Sequence, residues 1–172
     1  MCPNILSAIK NIADFKSNDL KGYSSTYLIR INAVGEQLEF YVKDALCDSF
    51  KIAHQEKEAK YQGAISLLGN QNNPPDVIIR GGDAYEIKKI QSLKSSIALN
   101  SSSPKDRLHR DDSRITEACR TCEGGNWQTK DVFYVVGSAK KQDKISLLCP
   151  WSLLFCTTRS LPPDFQASKA KH

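Results

Sequence analysis

Pro75-Asp76-Val77-Ile78-Ile79-Arg80-Gly81-Gly82-Asp83-Ala84-Tyr85-Glu86-Ile87-Lys88 reads as two short strands joined by a Gly-Gly-Asp turn. Val77, Ile78 and Ile79 are β-branched, which suits a strand. Gly81-Gly82 supplies the positive φ that a tight hairpin needs. Side chains alternate along a strand, so Glu86 and Lys88 share one face while Tyr85 and Ile87 share the other. Asp76 opens the preceding strand and can fold back toward them. Two carboxylates beside a lysine on rigid strands suit a Mg²⁺ ion next to a phosphate. On that reading Asp76 and Glu86 are metal ligands and the Ile87 carbonyl adds an oxygen. Lys88 stabilises a developing anion or helps to deprotonate water. The same charges also suit a solvated hairpin with no site, and spacing alone does not choose between the two.

The rest of the chain sets the frame. At 172 residues it is long enough for one domain, with or without a tail. An apolar fraction of 40% and a charged fraction of 25% are those of a soluble globular protein. No apolar run is long enough to span a bilayer, and Met1-Cys2-Pro3-Asn4 lacks a signal-peptide pattern, so a cytoplasmic location is expected. The six cysteines, irregularly spaced and without a secretory signal, read as reduced thiols. A net charge of +5 permits a polyanionic partner without demanding one.

Taken in order, Asn4 to Phe15 predicts a helix with Asn4 as its cap, because Ile5, Ile9 and Ile12 recur at helical spacing. Ser17 to Ser25 reads as a loop. Asn32 to Phe50 is the strongest helical stretch, with Val34, Leu38, Tyr41, Val42, Ala45 and Leu46 on one stripe. At ~100° per residue Glu39 falls on the flank of that stripe and Glu36 opposite it. Lys51 to Leu68 reads as a further helix, with Glu56 and Lys60 as an i, i+4 pair. Gly69 to Pro75 reads as a loop. Asp131 to Ala139 predicts a strand and Lys144 to Cys149 its hairpin partner. The order predicts an α/β fold, a mixed central sheet flanked by helices.

Other stretches carry weaker signals. Between Glu86 and Arg114 basic residues outnumber acidic ones, although Asp106, Asp111 and Asp112 dilute the charge. Lys105 and Arg107 suit phosphate contacts, while Asn100, Ser101 and Ser102 can hydrogen-bond bases or backbone. A solvated loop is the plain alternative. Cys119-Arg120-Thr121-Cys122 is half of a zinc site, but no second pair has suitable spacing, and metal-free thiols are the preferred reading. Trp127 reads as a core anchor. There is no P-loop, dinucleotide fingerprint or Ser-His-Asp arrangement.

Pro75-Asp76, nine intervening residues and then Glu86-Ile87-Lys88 resembles the PD-(D/E)XK nuclease motif. Asn72-Asn73-Pro74-Pro75-Asp76, Gly81 to Lys89, and Ala98-Leu99-Asn100-Ser101-Ser102-Ser103-Pro104-Lys105 resemble type II restriction endonucleases of the NgoPII kind, in the same order. The similarity covers about Asn32 to Pro150. It implies a restriction-endonuclease-like core and a bacterial, Mg²⁺-dependent enzyme that cuts double-stranded DNA at a short palindrome. It suggests GGCC as the target, a homodimer, and a cognate DNA methyltransferase as functional counterpart. It also implies DNA contacts from the Asn100–Arg107 region. Such nucleases often carry an acid on a helix ahead of the motif, so Glu39 becomes a candidate for the site. An ordinary helix-surface glutamate fits it equally well.

From Trp151 to His172 the chain departs from that pattern. Residues 1–150 are therefore expected to form the nuclease domain and 151–172 an atypical tail, as a truncated or frameshifted reading frame would leave. A catalytically inactive DNA-binding remnant or regulator of the same fold is the second functional reading. A zinc-stabilised interaction module on Cys119 and Cys122 is the third.

Overall fold

Asn4 caps the first helix, α1 (Ile5–Phe15). Its Oδ1 accepts the Ser7 N–H at 3.0 Å, and Ser7 Oγ accepts the Asn4 N–H at 2.9 Å, so two otherwise orphaned donors are satisfied reciprocally. The computed structural model describes residues 3–15, 34–70, 73–90, 106–138 and 144–148. The loops expected over Ser17–Ser25 and Asn100–Pro104, and the stretch from residue 151 onward, lie outside the described residues.

Ile5, Ile9, Ile12 and Phe15 pack toward helix α2 (Val34–Cys47). Leu38, Tyr41, Val42, Ala45 and Leu46 are all buried, as the helical stripe requires. Phe15 stacks on Phe50 with ring centroids 4.2 Å apart. One buried neighbour breaks the apolar pattern: Asp44, fully buried on the same helix. Its carboxylate accepts from Ser49 Oγ, from Lys57 Nζ and from the Tyr61 hydroxyl at 2.6 Å. Lys57 and Tyr61 belong to helix α3 (His54–Ala64), so this ion pair ties α3 to α2.

Helix α3 is shorter than the sequence suggested. It stops at Ala64, and Ile65 is already extended at φ −101, ψ 131. The stretch expected to stay helical to Leu68 is instead strand β1 (Ile65–Asn70). A short apolar run such as Ile65-Ser66-Leu67-Leu68 fits either period, and its ladder partner decided the matter. The loop expected from Gly69 to Pro75 is likewise mostly strand. β2 (Asn73–Ile79) begins at Asn73 and pairs antiparallel with β1 from Asn70↔Asn73 to Ile65↔Ile79. Lys60 donates to the Asp48 carbonyl at 2.6 Å rather than pairing with Glu56.

The expected hairpin follows. β2 pairs antiparallel with β3 (Ala84–Ile90) through Val77↔Tyr85 and Ile78↔Ala84. After β3 come β4 (Arg107–His109), the short helix α4 (Glu117–Thr121) and a 3₁₀ turn (Cys122–Gly125). β5 (Thr129–Ser138) then runs parallel to β3, with Ala84↔Val132 and Ile90↔Ser138 at its ends. The other edge of β5 is shared. β4 takes Thr129 to Asp131, and β6 (Lys144–Leu148) takes Tyr134 to Ser138, both antiparallel. The strand order is β1-β2-β3-β5-β4, with β6 beside β5. This is the expected mixed sheet.

Both faces of the sheet are covered. Val77, Ile79, Tyr85 and Val135 face α1 and α2. Ile78, Ala84 and Val132 face a second cluster with Leu108, Ile115, Cys119, Cys122 and Trp127. Trp127 is therefore the core anchor expected of it. Among the described residues no helix is long and apolar enough to cross a membrane.

Candidate active site

Strand alternation assigns the faces of the catalytic candidates. Val77 and Tyr85 pair and look toward α2; Ile78 and Ala84 pair and look the other way. Asp76 and Glu86 stand one residue beyond these pairs, at the point where the hairpin ladder gives out. Asp76 Oδ2 accepts the Ile87 N–H at 2.6 Å. This contact between strands is how Asp76 folds back, as the sequence anticipated. Glu86 is buried at 4% exposure, and its Oε1 meets Lys88 Nζ at 2.6 Å. Asp76, Glu86 and Lys88 thus converge.

The backbone before Asp76 is tightly held. A Cβ on Gly69 would lie 2.1 Å from the Pro75 carbonyl oxygen. Only glycine lets β1 pass this close, so the residue leading into Asp76 is fixed by backbone against backbone.

The electrostatics identify an unmet demand for positive charge. Burial, and then repulsion from Glu86, push the Asp76 carboxyl up to about 6, against the Ile87 N–H and Lys88, which pull it down. Glu86 Oε2 is buried and has no hydrogen-bond partner. A buried carboxylate oxygen left bare is costly unless something cationic or protic meets it. Glu39, exposed on α2, is near enough to add to the repulsion felt by Asp76. Glu39 thus acts on Asp76 through its charge, from an exposed position on α2. Among the described residues no three His, Cys, Asp or Glu side chains gather into a metal cage. The donor set is still a hard, anionic oxygen pair. Mg²⁺ commonly takes one or two carboxylates and completes its shell with water and phosphate oxygens.

The sign of the Asp76 shift makes a prediction. The folded pKa lies above the ordinary 3.8, so the folded chain binds more protons than the unfolded chain between pH about 4 and about 6. Metal-free stability is therefore lost as pH rises through that window. Asp76→Asn is expected to stabilise the metal-free protein above pH 6, by up to about 3 kcal/mol for a shift of about two units. The gain should vanish at pH 4. Urea melts of both proteins at pH 4 and pH 7.5 check this, and equal pH dependence in the two would contradict it.

Arg107 pairs in register with Asp131, its Nε 3.3 Å from the carboxylate, at the turn end of the sheet. There it lines a cavity of about 490 Å³ with Asp83, Asn126, Thr129 and Lys130. It is not brought to Asp76 and Glu86. Asn100, Ser101, Ser102 and Lys105 lie outside the described residues. Cys119 and Cys122 are buried free thiols, and burial pushes both up, Cys119 to about 11.

Two residues near the hairpin drew no notice in the sequence. Glu123 and Lys130 form an ion pair at 3.1 Å, and both also bond the Gly81-Gly82 turn. The signals were faint: an acid directly before Gly124-Gly125, and a lysine at an inward position of β5.

The family model described as NgoPII restriction endonuclease matches residues 3–160. A type II restriction enzyme NgoPII from Neisseria gonorrhoeae is 41% identical over 145 residues, 84% of this chain and 51% of that protein. The chain thus spans about half the length of the curated relative it matches. No solved structure matches.

Proposed function

This chain belongs to the NgoPII restriction endonuclease family, and on that premise we propose that it is a type II site-specific deoxyribonuclease. It hydrolyses phosphodiester bonds of double-stranded DNA with Mg²⁺ as cofactor. The mixed sheet flanked by helices is consistent with a restriction-endonuclease-like fold. The observation that carries the reading is the buried Glu86 oxygen without a partner, beside an Asp76 carboxyl held above its ordinary pKa.

Asp76 and Glu86 would hold the ion, with the Ile87 carbonyl as a further oxygen. A divalent cation at such a pair supplies Lewis-acid charge for the scissile phosphate and lowers the pKa of water. The chain's own residues do the rest. The Ile87 N–H fixes one Asp76 oxygen. Lys88, oriented by Glu86, offers its ammonium to a phosphate oxygen as negative charge builds. Glu39 adds a carboxylate for water or a second cation. Protonation of Asp76 predicts weaker divalent binding as pH falls through about 6.

Asn100, Ser101, Ser102, Lys105 and Arg107 are proposed to contact DNA. GGCC as the target rests on the family resemblance. A palindromic target suits a homodimer whose two-fold axis matches that of the DNA, each subunit cutting one strand. A cytoplasmic site of action and a methyltransferase that protects host sites belong to the same proposal.

Incubating the full chain with plasmid and Mg²⁺, then sequencing the fragment ends, tests the reading. Discrete fragments ending at one palindrome are expected. Salt-sensitive DNA binding with no cleavage at any Mg²⁺ concentration would replace it with the inactive DNA-binding reading.

A further inference from the structure

The turn between β2 and β3 is gripped from both sides. Gly82 N–H closes it on the Ile79 carbonyl at 2.9 Å, and Gly81 has φ +67. The Glu123 carboxylate accepts the Gly81 N–H at 3.0 Å and Ser66 Oγ at 2.9 Å. Lys130, buried in β5, donates to the Gly82 carbonyl at 2.8 Å and to both Glu123 oxygens at 3.1 and 3.3 Å. Ser66 Oγ also reaches the Ile78 carbonyl at 3.3 Å. One ion pair therefore joins β1, the turn, the 3₁₀ segment and β5.

Glu123 accepts a cost to be there. Its φ of +57 is left-handed, a region that residues other than glycine avoid. Such conformations persist where the surroundings over-determine them. Here the surroundings are three donors, Ser66 Oγ, the Gly81 N–H and Lys130 Nζ. Burial works against the Glu123 charge, yet Ser66, the Gly81 N–H and Lys130 together hold its carboxyl below the usual range.

The hairpin needs this support because its ladder is short. Val77↔Tyr85 and Ile78↔Ala84 are its registered pairs, and Asp76 and Glu86 lie just past them. A slip of β2 by one residue against β3, which its register with β5 holds, would turn Asp76 away from Glu86. The turn is thus the element that fixes how Asp76 meets β3. We infer that Glu123, with Lys130, is a positioning residue: it holds the Gly81-Gly82 turn so that Asp76 is registered against Ile87 and Glu86. This rests on the nuclease reading for the catalytic meaning of that pair, though not for the clamp itself.

The test uses the full chain carrying Glu123→Ala, Glu123→Gln or Lys130→Met. The Ile87 amide, whose N–H donates to Asp76, is read by hydrogen exchange, and cleavage kinetics are measured below the melting temperature. Glu123→Ala is expected to speed Ile87 exchange at least ~10-fold while the Val42 amide in α2 is unchanged. It should lower kcat about 10- to 100-fold, with KM for duplex DNA within about two-fold. Glu123→Gln, which keeps an acceptor for Gly81, should recover most of both. Should Glu123→Ala not fold, Lys130→Met is read in the same way, since it releases the Gly82 carbonyl. Unchanged Ile87 exchange overturns the inference whatever the cleavage rate does. So does equal acceleration of Ile87 and Val42, which would mark general loosening. If the unaltered chain cuts no DNA while Ile87 exchange responds selectively, the nuclease reading falls and the clamp stands.

Discussion

Replacing Glu86 by alanine is expected to reduce Mg²⁺-dependent DNA cleavage by on the order of 10³-fold or more, equivalent to about 4 kcal/mol of lost transition-state stabilisation. The reason is positional. Glu86 is buried, has one oxygen without a partner, and orients Lys88 through the other. Removing it takes away a cation ligand and frees the Lys88 ammonium together. Duplex binding should stay within a few-fold, because the contacts proposed for Asn100, Ser101, Ser102, Lys105 and Arg107 do not involve Glu86. The fold should not suffer either, since a bare buried carboxylate oxygen is itself a burden. Single-turnover cleavage, gel-shift affinity and a thermal melt on the same preparation check all three. Cleavage within ten-fold of the unaltered protein would remove Glu86 from the mechanism.

The second large effect falls on stability. Asp44→Ala is expected to cost about 3–5 kcal/mol, because it removes the carboxylate from a buried ion pair. Lys57 and Asp44 are 4% and 0% exposed at their side chains, so water cannot take over the lost interaction. The Tyr61 hydroxyl and Ser49 lose their acceptor at the same moment. Burial, the largest cause that holds the Tyr61 phenol above its usual range, persists when Asp44 is removed, so the phenol stays neutral and cannot compensate. Adding Lys57→Met should recover much of the loss, because an apolar side chain removes the buried charge that Asp44 balanced. Urea unfolding of the two single variants and the double variant closes the cycle. Additive losses would show that the pair is not coupled. The pair also matters for the site, because the helix it anchors carries Glu39 toward Asp76.

The hairpin was legible because its cues are local: β-branched residues, a Gly-Gly turn, and alternation that puts Glu86 and Lys88 on one face. The α2 stripe was legible for the same reason, since a period of 3.6 is a property of adjacent residues. Ile65 to Asn70 was misread because a four-residue apolar run carries no period, and only Val77 to Ile79 across the ladder made it a strand. Asp44 was passed over because an acid on an apolar stripe looks like an interruption until Lys57 and Tyr61 arrive from another helix.

The sequence by itself determined the chemistry on offer: two carboxylates and a lysine on a hairpin, an acid on the preceding helix, and a resemblance that named a family. These depend on residue identity and short spacing, which the chain carries in one dimension. Tertiary structure alone decided that Asp76 lies against the Ile87 amide, that Glu86 keeps a bare oxygen, and that Glu123 and Lys130 grip the turn. Those facts join residues from 11 to 48 positions apart. No local pattern encodes such distances, because the energy that sets them appears only when the sheet has closed.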